Sequence, residues 1–154
     1  MPKVGILGCD VTTRDLDCVM IGCFGNLRDR QGAFEQYPEN DPPELVGIIH
    51  CGGCPTAFGS ERVWQKVKAL KEYGIEALHL TSCLVQVCPF TKEFVATIRK
   101  EYPELKIVEG THPFQDLQAF KNGIRELTSQ RAVTPQKMND LVFKRIEVHT
   151  DEDD

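Results

Sequence analysis

LVGIIHCGGCP, residues 45–55, runs from five nearly unbroken apolar residues through two cysteines split by two glycines to a proline. A short, β-branched apolar run with no polar alternation is the pattern of a parallel strand buried on both faces. The glycines permit a tight turn with positive φ, and Pro55 suits the first turn of a helix. The stretch therefore reads as strand, turn, helix, with both thiols in the turn. A CxxC turn lets two thiolates approach one ion, and a following helix N-terminus lowers thiol pKa values.

Three other runs repeat the strand pattern: Val4–Gly8, Ala77–Leu80 and Leu105–Val108. Between them lie amphipathic segments. Val63, Val67 and Leu70 recur at helical spacing within residues 60–73, and Gly74 stands where a C-cap glycine belongs. Phe90, Phe94, Ile98 and Tyr102 form an i, i+4 stripe, as do Leu117, Phe120, Ile124 and Leu127 in a segment opened by Pro113. These stripes read as core faces, not ligand boxes. A weaker helix is expected over residues 24–36. The tail is ambiguous, since Thr134-Pro135 can open a helix whereas Ile146–Val148 alternates like a strand, and Asp151–Asp154 reads as a frayed acidic end.

Alternating strands and helices with short connections predict a doubly wound α/β fold of the flavodoxin or Rossmann type, a parallel sheet of about four to five strands. With 154 residues, a single domain over 1–150 with a disordered tail at 151–154 is expected. A net charge of −5 and the lack of any long basic cluster argue against nucleic acid. No apolar stretch approaches the roughly 20 residues of a membrane span. The first residues run from Met1-Pro2-Lys3 into a strand without a signal pattern, so a cytoplasmic protein is expected.

Seven cysteines are the unusual feature: Cys9, Cys18, Cys23, Cys51, Cys54, Cys83 and Cys88. An odd set in a reducing compartment points to metal binding or catalysis, not disulfides. Buried cysteine as a small hydrophobe explains one or two of them, hardly seven. Each is expected between a strand end and the next helix, none in a helix interior, together with His112 after the fourth strand. Ligands of such sheets bind outside the carboxyl ends of the strands, where these loops cluster. Seven thiols and one imidazole supply eight donors, enough for one or two four-ligand sites holding zinc or an iron–sulfur cluster. Cys51, Cys54, Cys83 and Cys88 are the expected core ligands. Cys9, Cys18, Cys23 and His112 complete that site or form a second one.

Rival readings carry less. A thioredoxin-like redox unit would use Cys51 and Cys54 alone, with Pro113 as its cis-proline, and needs none of the other five thiols. An oxyanion-cradling phosphatase or arsenate-reductase loop wants Cys-x5-Arg after the first strand, and Cys9 and Arg14 are one residue too close. His79 alternates within a buried strand and reads as a core histidine. His50 reads as a strand-end residue or a hydrogen-bond donor beside Cys51, and His149 as solvent-exposed. Asp10 and Glu109 stand at strand ends and could assist, although strand ends in this fold commonly carry solvated carboxylates.

The chain resembles the CGGC-domain proteins, small proteins of bacteria and archaea, over roughly residues 3–113. The resemblance rests on the strand ending in Cys9, the Cys-x4-Cys-Phe stretch of Cys18 to Phe24, and Val46-Gly47 leading to Cys51-Gly52-Gly53-Cys54-Pro55. It continues through Ser82-Cys83, Cys88-Pro89 and Thr111-His112. Many members carry a proline where Val19 stands, which alters only a local turn. The resemblance implies metal binding, with zinc proposed from the family's cysteines and histidine. The expectation is a metal-binding protein with zinc or an iron–sulfur cluster on thiolates at the carboxyl edge of the sheet. The alternative is a thiol–disulfide oxidoreductase using Cys51 and Cys54 with a redox partner protein.

Overall fold

The computed structural model describes residues 1–53 and 59–131. Residues 1–115 form one compact unit, and the described residues from 116 onward belong to a second. Four strands build the sheet of the first unit: β1 (Lys3–Gly8), β2 (Glu44–His50), β3 (Ala77–Leu80) and β4 (Lys106–Glu109). All pairings are parallel and the strand order is β2-β1-β3-β4. This is the expected doubly wound α/β architecture, each strand boundary falling within one residue of its sequence reading.

The connections carry α1 (Ile21–Asp29), α2 (Gly59–Glu72), α3 (Ser82–Val87) and α4 (Thr91–Glu101). Side chains of β1 alternate between two cores, as strand geometry requires. Val4 and Ile6 pack with Cys23, Phe34 and Tyr37 on one face, and Leu7 packs with Val63, Val67, Phe94 and Ile98 from α2 and α4 on the other. On that second face Gly5 and Gly47 are register partners. A Cβ on Gly5 would meet Leu70 Cδ1 at 2.7 Å, and one on Gly47 would meet Leu70 Cδ2 at 2.9 Å. The two glycines thus let α2 settle its leucine directly onto the sheet.

Several local expectations shift. The helix predicted over 24–36 begins earlier, at Ile21, and stops at Asp29, where Arg30 turns left-handed with φ of 49°. A short 3-10 turn, Gly32–Phe34, then buries Phe34 completely. The helical turn Val11–Asp15, closed by the Leu16 amide on the Val11 carbonyl at 3.0 Å, and the two-turn α3 have no apolar periodicity to announce them. Helix α4 starts at Thr91, two residues after Pro89. In the second unit, α5 (Leu117–Arg131) starts after Asp116, whose carboxylate caps the Ala119 amide at 2.9 Å. Pro113 therefore precedes the helix by four residues, because an Asp cap satisfies a free amide that proline cannot. Cys54, Pro55, the segment 132–150 and the acidic end 151–154 lie outside the described residues. Among the described residues no helix is long and apolar enough to cross a membrane.

Candidate metal and thiol site

The parallel ladder continues past the strands and sets the site. The Cys51 amide donates to Gly8 O at 3.1 Å, Thr81 N to Leu7 O at 2.9 Å, and Gly110 N to Leu80 O at 3.0 Å. Cys9, Cys51, Thr81 and Gly110 consequently stand side by side at the carboxyl edge. Strand order places β1 between β2 and β3, so the chain leaves β1 and β3 in opposite directions. That is the topological switch point where open α/β sheets form a crevice. Cys9 and Cys83 flank it.

The Cys9 carbonyl anchors the first loop, accepting from Thr13 N at 3.1 Å, Thr13 Oγ1 at 2.8 Å and Thr12 Oγ1 at 3.1 Å. Next to it Asp10 holds the Cys51–Gly52 turn at two points. Its amide donates to Cys51 Sγ at 3.4 Å, and its carboxylate accepts the Gly52 amide at 2.6 Å. Gly52 and Gly53 both have φ near the left-handed glycine region, 99° and 98°. A Cβ at Gly53 would also lie 3.0 Å from Arg14 Nη2, so this guanidinium borders the CGGC turn.

Cys9 and Cys51 are both buried. The hydrogen bond between the two thiols raises the pKa of Cys9, and burial and the neighbouring Cys83 add to that. The same bond lowers the pKa of Cys51 despite burial, helped by the amides of Asp10 and Gly53. Cys83 closes the group from the first turn of α3, its sulfur 3.4 Å from Thr12 Oγ1 and 3.2 Å from Thr81 Oγ1.

A second network lies on the opposite face of the sheet edge. Ser82 Oγ accepts the amides of Thr111 at 2.9 Å and His112 at 3.0 Å, and donates to His112 O at 2.6 Å. Thr111 Oγ1 accepts the Ser82 amide at 3.2 Å and lies 3.2 Å from Cys23 Sγ. Burial raises the pKa of Cys23. The His112 ring packs on Gly22, where a Cβ would come within 3.1 Å of Cδ2. Its Nδ1–H points at Pro113 O, 2.9 Å away, which leaves Nε2 as the acceptor nitrogen.

The eight sequence candidates thus divide. Cys9, Cys51 and Cys83 converge, and Cys23 joins His112 through Thr111 and Ser82. Cys18 is exposed and accepts the Met20 amide at 3.4 Å. Cys88 lines a separate groove beside α4. Cys54 is outside the described residues. Cys23 and Cys83 lie inside the first turns of α1 and α3, where loop positions were expected. Among the described residues no three His, Cys, Asp or Glu side chains are already grouped as a metal site. The hydroxyls of Thr12, Thr81, Ser82 and Thr111 carry no sequence signature beyond sitting one to four residues past strand ends. His79 is the core histidine expected, fully buried, stacked on Phe34 at 4.2 Å and bonded through Nε2 to Tyr37 OH at 2.8 Å.

The model of the CGGC domain matches residues 3–112. An uncharacterized protein of Methanocaldococcus jannaschii is 34% identical over 119 residues, covering 71% of this chain and 86% of the relative. No solved structure matches the chain.

Proposed function

The chain belongs to the CGGC-domain family, and on that premise we propose that it binds a thiophilic metal, a zinc ion or an iron–sulfur cluster, at the carboxyl edge of its sheet. One observation carries the reading: the buried Cys51 sulfur accepts the Asp10 amide at 3.4 Å and packs in one cluster with Cys9 and Cys83. A metal ligand must be the deprotonated form, and a thiolate already solvated by N–H groups meets that requirement without extra cost.

The donor chemistry fits. Cys51, Cys9 and Cys83 would hold the metal as thiolates. Cys54 is the natural fourth, completing a four-thiolate set of the kind zinc and clusters take. Asp10 acts one step back by fixing the turn that carries Cys51. Bound metal would tie the loops after β1, β2 and β3 together.

Anaerobic purification with elemental analysis and an absorption spectrum tests this. Stoichiometric zinc without colour, or iron with labile sulfide and visible absorption, is expected, and Cys51→Ser should lose it. Metal-free protein that fails to take up zinc or a reconstituted cluster would overturn the proposal.

A second reading has its own support. A thiolate backed by a neighbouring thiol is also the attacking half of a thiol–disulfide oxidoreductase, with Cys51 and Cys54 as the redox pair and a protein disulfide as substrate. A reversible Cys51–Cys54 disulfide in metal-free protein, poised near the cytosolic glutathione potential, would favour it.

A further inference from the structure

On the β4 side of the sheet edge, away from Cys9 and Cys51, a groove of about 510 Å³ opens between α3, the turn after it, and α4. That volume is within the range of small-molecule sites. Val85, Pro89, Val95 and Ala96 form its apolar lining. Four chemical groups punctuate it: the Cys88 thiol, the Lys92 ammonium, the Arg99 guanidinium and the Glu109 carboxylate.

None of the three charged groups has an ion-pair partner among the described residues. Lys92 and Arg99 are seven residues apart on α4, which puts them on one face about 10 Å apart along the axis. Lys92 stands in the first turn of α4, whose N-terminal amides receive no side-chain cap, so two sources of positive potential meet there. Glu109 ends β4, at the edge where this sheet class receives ligands. The groove therefore offers two anion-binding points, one cation-binding point and one thiol around an apolar floor.

We propose that this groove binds a low-molecular-weight thiol of the γ-glutamyl peptide class and accepts it as a mixed disulfide on Cys88. Such a molecule carries two carboxylates, one ammonium and one sulfur, matching Lys92, Arg99, Glu109 and Cys88 one for one. Cysteine lacks the second carboxylate, and a neutral disulfide engages none of the charges. Cys88 is half-buried, reachable by a small ligand seated in the groove. In the step, the Cys88 thiol loses its proton to solvent and its thiolate attacks one sulfur of the disulfide form of the ligand. The ligand S–S bond breaks, the Cys88–S–S–ligand bond forms, and the departing thiolate takes up a proton. Cys88 is oxidised and the released half of the disulfide is reduced, so the electrons balance.

The test compares two disulfides on the purified full-length protein, oxidised glutathione and the uncharged 2-hydroxyethyl disulfide, with peptide mapping to follow Cys88. Oxidised glutathione is expected to modify Cys88 at least about tenfold faster relative to its rate on the exposed Cys18. The exposed double substitution Lys92→Gln/Arg99→Gln should abolish that advantage while leaving the rate with the uncharged disulfide unchanged. Glu109→Gln should reduce it partly. Equal relative rates for the two disulfides, or an advantage that survives removal of both cations, would overturn the proposal. Cys88→Ser should lose the adduct, and an adduct that instead maps to Cys18 or Cys51 also counts against it.

Discussion

The amide of Asp10 donates to the sulfur of Cys51 at 3.4 Å, while the Asp10 carboxylate takes the next amide, that of Gly52, at 2.6 Å. Asp10, two residues after β1, thereby fixes the position of a sulfur after β2. The two contacts differ in kind. The backbone donor survives any substitution at position 10 that keeps the loop, whereas the carboxylate contact does not. Asp10→Ala should therefore loosen the Cys51–Gly52 turn without deleting a thiol. Supporting contacts of this sort typically change metal affinity about ten- to a hundredfold. We expect zinc affinity, measured by competition with a chelator, to fall by that order in Asp10→Ala and by much less in Asp10→Asn, which keeps an acceptor oxygen. An unchanged affinity in Asp10→Ala would remove Asp10 from the site.

Ser82 is a hub of a different type. Its single oxygen accepts two backbone amides, those of Thr111 and His112, and donates to one carbonyl. Thr111 is fully buried, so its amide has no water to turn to once the hydroxyl is gone. A buried donor left unpaired costs about 1–3 kcal/mol. Ser82→Ala should lower unfolding free energy in urea by at least about 2 kcal/mol, with the denaturant slope unchanged. A loss below about 0.5 kcal/mol would mean that the β4 loop re-pairs elsewhere.

How much of this was visible beforehand follows from the kind of force at each position. The strands were legible because burial on both faces writes an uninterrupted apolar run, as in Leu45–Ile49. Helices α2 and α4 were legible because each buries one stripe. Helix α3 and the turn Val11–Asp15 were not, since they are held by strand-end carbonyls and threonine hydroxyls, which leave no period. The loops' shared edge could be inferred from topology, but the division of the thiols could not. Cys51 and Cys83 are held at the loop after β1 by Asp10 and Thr12, through contacts across 40 or more residues of sequence.

His79 gives a pH prediction. Burial lowers its pKa to about 4 from the ordinary 6.5, with Lys106 adding to the effect. Tyr37, pushed up to about 12 mainly by burial, keeps its proton and donates it to Nε2. Nδ1–H faces Gly110 O at 3.3 Å. The ring is thus neutral when folded. Between about pH 6.5 and 4 the unfolded chain binds a proton that the folded chain refuses, so stability falls as the pH drops through this window. The full effect of such a shift is roughly 3 kcal/mol. Unfolding free energy measured at pH 7.5 and 4.5 should decline more steeply in the wild type than in His79→Asn, once both are referenced to pH 7.5. Parallel declines would place the acid sensitivity elsewhere.

The last prediction concerns the contact that seats α2. Leu70 lies over Gly5 and Gly47, and a methyl on Gly5 would meet Leu70 Cδ1 at 2.7 Å, Leu78 Cδ1 at 3.3 Å and Ile75 Cδ1 at 3.5 Å. The nearest atom ends a flexible side chain, but Leu70 is itself buried and has Gly47 beneath its other methyl. Moving away from one strand presses it on the next. Overpacking of this kind costs about 1–3 kcal/mol, and Gly5→Ala should show that loss in urea unfolding. Leu70→Ala alone should cost about 2–5 kcal/mol by leaving a cavity. In the double variant the new methyl occupies part of that space, so the combined loss should fall short of the sum by at least about 1 kcal/mol. Simple additivity would show that Gly5 and Leu70 do not share the space, and that α2 is seated by other contacts.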